Sequence, residues 1–198
     1  MYKQYETEVF IMNEVKKRKL EFNNKRSCGL WLLMVGTVLA VSLIFGGRFI
    51  VNPIIFLAGY YVSFYIANVN RKVRAKLSDG PVSTFQIRMI FVSIALLFVL
   101  MFCIAGPFIP TWNWRMIWLG VSLATGIHFF PFYFVHGRIM IVLGIICTAC
   151  AVSGYVLTSV PTAAFLAADS IIKIIFGIGM LLRKGRIEPL SDDNKVVL

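Results

Sequence analysis

Asp169 and Lys173 interrupt an otherwise apolar run, TAAFLAADSIIKIIFGIGML, four positions apart. On a helix that spacing puts both side chains on one face with the acid first, the favourable order for a local ion pair. Facing lipid, each would cost roughly 2.5 to 3.5 kcal/mol, so both are expected to face protein or water. Two kinds of chemistry fit. In one, the charges neutralise each other, or Asp169 pairs with Arg48 or Arg115, and the ions staple the outer half of a bundle. In the other, Lys173 joins Arg48 and Arg115 in an outward-opening cavity for a small anionic or zwitterionic solute, and Asp169 tunes charge or protons there.

His128 offers a second polar point, in the segment GIHFFPFYFVHGR. Pro131, three residues later, must release a backbone carbonyl about one turn back, so a kink and a polar patch can form together. His128 then serves either as a proton or polar relay or as a histidine hydrogen-bonded to a neighbouring helix. His136 lies eight positions on, with no third ligand in a metal-binding pattern, so no metal site is expected. Cys147 and Cys150 form a C-x-x-C, but thiols inside an apolar run make poor thiolates and read as small packing residues. Cys28 and Cys103 also fall in apolar runs, which argues against a secreted disulfide framework. No Walker A loop, G-x-S-x-G elbow, H-E-x-x-H or paired carboxylate cluster occurs, so no cofactor is expected and a classical enzyme ranks third.

The elements that must position these residues follow from hydropathy. Hydrophobic residues make up 59% of the 198 positions and charged ones 15%, far more apolar than a soluble domain. The apolar residues fall in six blocks, 28–45, 51–69, 87–109, 112–134, 139–160 and 162–182. Blocks of this length span a hydrocarbon core of roughly 30 Å at about 1.5 Å per helical residue. Glycine, proline and aspartate mark the breaks, from Gly46 and Gly47 through Asp79 to Pro81 and Pro107 to Pro161. The expected fold is an all-α integral membrane protein, a compact bundle of six transmembrane helices in three stacked hairpins. Asp169 and Lys173 would lie about 10 and about 16 Å from the outer end of the sixth helix.

Orientation comes from the basic residues. Of the 20 lysines and arginines, seventeen flank the even-numbered breaks and the termini, whereas only Arg48 and Arg115 lie on the other side. The positive-inside rule therefore places both termini in the cytoplasm. The formal net charge of +11 is explained by this topology and not by nucleic acid, because the cations sit between apolar blocks. Residues 1–27 carry no short apolar core or cleavage site of a signal peptide, and are expected to be retained as a cytoplasmic or interfacial segment. Tyr5, Val9 and Met12 suit an amphipathic helix on the inner leaflet, with Lys16, Lys17, Arg18 and Lys19 meeting anionic headgroups. An ordinary cytosolic helix docked on the loops fits equally well. Residues 183–198 form a cytoplasmic tail.

The first hairpin, WLLMVGTVLAVSLIFGGRFIVNPIIFLAG, resembles the Gly-rich helix, turn and Asn-Pro return of the HdeD-like bacterial membrane proteins. The likeness covers one hairpin and carries no functional residues across. In size and span number the chain is similar to six-helix vitamin-binding subunits of importers, a likeness of fold only. The expected function is small-solute handling, as a transporter or a substrate-binding membrane subunit, gated at the Gly46 and Gly47 turn and the Pro107 to Pro110 turn. The alternative is a non-catalytic structural or interaction protein whose buried charges hold the bundle together. Expected partners are the lipid bilayer, a small anionic or zwitterionic solute, and a membrane protein partner or second copy. The expected location is a bacterial cell membrane.

Overall fold

The computed structural model describes residues 24–78, 80 and 82–182. The segment with Lys16, Lys17, Arg18 and Lys19 and the tail 183–198 lie outside the described residues. Within them every regular element is helical and none is a strand. Eight α-helices follow in order: α1 Lys25–Ile44, α2 Pro53–Phe64, α3 Arg71–Leu77, α4 Thr84–Leu100, α5 Trp114–His128, α6 Tyr133–His136, α7 Ile139–Val156 and α8 Thr162–Leu181.

Helix starts follow local chemistry. At α2 the Asn52 side chain accepts hydrogen bonds from the Ile54 and Ile55 amides at 3.1 and 3.2 Å, with Pro53 in the first turn. At α4, Ser83 and Gln86 form a reciprocal capping box, which starts the helix three residues before the apolar block itself. Asn113 and Asn70 cap α5 and α3 by accepting from backbone amides of the first turn, without a reciprocal partner. Polar residues in these breaks thus supply the acceptors that a helix start lacks.

Prolines shape the irregular stretches. A π turn, Met101–Ala105, and a 3-10 turn, Gly106–Phe108, continue α4, because Pro107 brings no N–H and its ring excludes a regular α turn. The block 112–134 is a broken helix: α5 stops at His128, the chain turns through Phe129 to Phe132 around Pro131, and α6 follows. The Ser93 hydroxyl of α4 donates to the His128 carbonyl at 2.6 Å, satisfying an acceptor at the break. The fifth block also ends early, at Val156, where residues 157–160 turn.

Four helical runs are long and apolar enough to cross a membrane: Lys25–Ile44, Thr84–Phe108, Ile139–Val156 and Thr162–Leu181. Pro53–Val69, in which a π turn extends α2, is shorter, and α5 has 15 residues. Large apolar side chains cover the outside, among them Ile54, Leu57, Phe91, Phe98, Phe102 and Ile175. An apolar exterior of this kind suits a multi-pass membrane protein and is foreign to a monomer in water.

Helices α1 and α8 run antiparallel in close contact. A Cβ on Gly29 would come within 2.8 Å of the Gly177 carbonyl, and one on Gly36 within 2.9 Å of the Ser170 carbonyl. The Ser170 hydroxyl donates across this seam to the Gly36 carbonyl at 2.8 Å. Small residues also let α5 approach α7, where a Cβ on Gly126 would meet Thr148 backbone nitrogen at 2.7 Å. Two apolar clusters fill the interior. Toward α3 and α6 lie Leu32, Phe129, Met140, Leu143, Cys147 and Met180, and toward the opposite end Leu39, Val51, Trp118 and Leu166.

Candidate functional site

Between these two clusters α8 turns Asp169, Ser170 and Lys173 inward. Asp169 is 2% and Lys173 4% exposed, which decides their setting: neither faces lipid nor open water. Lys173 Nζ donates to Asp169 Oδ2 in an i, i+4 ion pair, as the spacing predicts. Ser122 of α5 donates to the same oxygen at 3.4 Å, a long hydrogen bond. The other oxygen, Asp169 Oδ1, is buried without a hydrogen-bond partner among the described residues.

Further polar groups converge on the pair. Tyr60 of α2, His128 of α5 and Cys147 and Cys150 of α7 all lie within electrostatic range of Lys173. Tyr60 is held edge-on against Trp31 at 4.9 Å between centroids. His128 Nδ1 meets the Thr125 carbonyl, and its ring sits 4.4 Å from Phe129 and 5.6 Å from Phe132. The Cys150 thiol donates to the Phe165 carbonyl at 3.3 Å, while Cys147, wholly buried, lies beside Asp169 and Lys173. The four cysteines are free thiols. No cluster of three or more metal-ligating side chains occurs among the described residues.

The two arginines lie apart from the pair. The Arg115 guanidinium donates to the carbonyls of Gly154, Leu157 and Val160 at 2.6, 3.1 and 3.0 Å and to the Thr162 hydroxyl at 3.2 Å. It thereby clips the end of α7 to the start of α8, satisfying carbonyls that a helix end leaves open. Arg48 is exposed on the α1–α2 turn, with its guanidinium carbon 4.7 Å from the Phe49 ring centre. That turn is strained: Ile50 adopts φ 67°, an unfavourable conformation for a β-branched residue. Trp118 Nε1 anchors it by donating to the Phe49 carbonyl at 2.8 Å.

Sequence spacing found the pair but not its surroundings. Ser122 carried one legible signal, a hydroxyl in the apolar run of α5. Tyr60 carried none, since its approach depends on how α2 packs.

With this geometry in view, the chain is a helical protein whose apolar exterior suits a membrane and whose interior holds the Asp169–Lys173 ion pair. It belongs to DUF6609, a family of unknown function, whose pattern matches residues 15–188. Neither a curated protein nor a solved structure matches it.

Proposed function

We propose that the chain is a six-span membrane protein, with both termini on the cytoplasmic face, that handles a small anionic or zwitterionic solute at the Asp169–Lys173 pair. The observation that carries this proposal is unfilled hydrogen-bonding capacity deep in the bundle. Asp169 Oδ1 accepts nothing among the described residues, and Lys173 has three N–H donors for the one carboxylate oxygen it meets. A small polar ligand bridging these groups would complete both, whereas buried groups left incomplete cost free energy. Arg115 is engaged by its carbonyls, so its part is to hold the α7–α8 turn over the site. Arg48, on the exposed turn, attracts anions toward that end.

The six-span topology rests on the six apolar blocks and on the positive-inside bias. Pro53–Val69 and α5 serve as the two shorter spans, which a locally thinned bilayer accommodates.

A second proposal is favoured by the closure of the pair: a non-catalytic membrane scaffold, in which the ions fix packing and the basic N-terminal segment engages lipid headgroups or a partner protein. The two are separated by thermal unfolding of the purified protein across a metabolite panel. Under solute handling, an anionic or zwitterionic compound raises the melting temperature, and Lys173→Met abolishes the rise. A folded Lys173→Met protein that keeps every binding and phenotype selects the scaffold. Charge reversal at Lys16, Lys17, Arg18 and Lys19 would then remove function.

A further inference from the structure

The electrostatics of the buried pair restrict what a solute can do there. Asp169 and Lys173 together carry no net charge, and both are almost fully buried. An anion that joined Lys173 while Asp169 stayed ionised would leave one uncompensated negative charge in an apolar interior. Removing one partner of a buried ion pair has the same electrostatic outcome and is strongly destabilising. Charge balance is restored if one proton arrives with the anion. The acceptor is already present, since Asp169 Oδ1 is a buried carboxylate oxygen without a donor.

We propose that this site binds a monovalent anion and a proton together, one for one, the proton at Asp169 and the anion at Lys173. The inference rests on the solute-handling proposal above and deepens it by naming the ligand class. In the loaded state a proton from water forms an O–H bond at Asp169 Oδ1. Lys173 keeps its three N–H bonds and turns from the neutralised carboxyl to the anion. The net charge of the cluster stays at zero throughout, so neither ligand enters without the other.

The groups facing the pair fit this assignment. Ser122 and His128 of α5, Tyr60 of α2 and Cys147 and Cys150 of α7 surround it, and α1 brings Cys28 to the same interior nearer α3. Ser122 adds a hydroxyl beside an anion on Lys173, and Tyr60 lies within electrostatic range of it. His128 stands at the α5 break, where it can pass a proton from the α6 end.

The test uses the full chain in nanodiscs under weak buffering, with sodium chloride, nitrate and formate as probes and gluconate as the ionic-strength control. Anion binding and proton uptake are measured together. One proton is taken up per anion bound, so affinity falls about tenfold for each unit by which pH rises wherever that stoichiometry holds. In Asp169→Asn, which carries no carboxylate charge, the anion binds without proton uptake and without that pH dependence. Anion binding to the wild type without proton uptake overturns the coupling and leaves solute handling standing. Absence of binding by all three probes across the pH range overturns the coupling for monovalent anions, and only a hit in the metabolite panel then sustains solute handling. Proton uptake that persists in a folded Asp169→Asn protein also overturns the assignment. Should that variant fail to fold, the wild-type stoichiometry alone decides.

Discussion

Arg115 shows how a residue's role can depend on partners far along the chain. It has four acceptors, 39 to 47 residues away in sequence, running from the last turn of α7 through the α7–α8 turn to the first residue of α8. Arg115→Met removes hydrogen bonds to a charged group and exposes carbonyls at a helix end, so stability should fall by roughly 2 to 4 kcal/mol. Thermal unfolding in detergent measures the loss, and an unchanged melting temperature would show the clip to be idle. In sequence, Arg115 was indistinguishable from a free outer cation, because the carbonyls it reaches are fixed only by packing. Asp169 and Lys173 were legible because their pairing is local to one helix.

His136 gives a pH dependence at the same scale. It lies beyond the fourth apolar block, buried, stacked on Phe132, with Nδ1 lacking a partner among the described residues. Burial, with Lys25 adding repulsion, pushes its pKa down from 6.5 to about 3. Between these values the unfolded chain binds a proton that the folded chain refuses. The stability linked to His136 is therefore whole above pH 6.5 and declines as pH falls toward 3. His136→Gln should flatten the fall in melting temperature between pH 7 and pH 5, and an identical slope in both proteins would remove His136 as a cause.

Among the elements, α1 and α8 form the tightest pairing, and glycine permits it. Gly29 and Gly36 are seven residues apart, as are Ser170 and Gly177, so each pair returns to one face after two turns. A Cβ on Gly177 would lie 2.6 Å from the Leu33 backbone nitrogen, which cannot move without shifting α1. Gly177→Val should destabilise the bundle by roughly 1 to 3 kcal/mol. Gly179→Val is the control, since nothing lies within 4 Å of that position and its loss should be much smaller. Gly59, Gly120 and Gly144 each meet a neighbouring helix as well. The α1–α8 seam is not legible in the sequence, because seven-residue spacing of small side chains is common in apolar runs and no local feature selects the partner helix. The start of α8 was legible at Pro161, whereas the caps Asn52 and Ser83 start α2 two residues after and α4 three residues before the edges of their apolar blocks. The break after His128 was foreshadowed by Pro131, but its depth depended on Ser93 coming to the freed carbonyl.

For the whole molecule, the alternating course of the helices fixes which turns share a side. The turn with Arg48 belongs with the α7–α8 turn, and α3 belongs with α6. In a variant free of its four cysteines, Arg48→Cys should react with a membrane-impermeant maleimide in intact cells. Lys72→Cys should react only after permeabilisation. The reverse result would invert the orientation, and equal labelling would argue against membrane insertion.

The pairing of α1 with α8 also bears on how the protein is made. The Ser170 hydroxyl that binds the Gly36 carbonyl is synthesised 134 residues later. At about 5 to 20 residues per second of translation, the glycine face of α1 waits roughly 7 to 27 seconds for its partner. The helices α2 to α7 are made in that interval, while the Gly36 carbonyl waits for the Ser170 hydroxyl of α8. The first hairpin is thus made long before the partner that completes its packing, and closure of this seam waits for α8 to leave the ribosome.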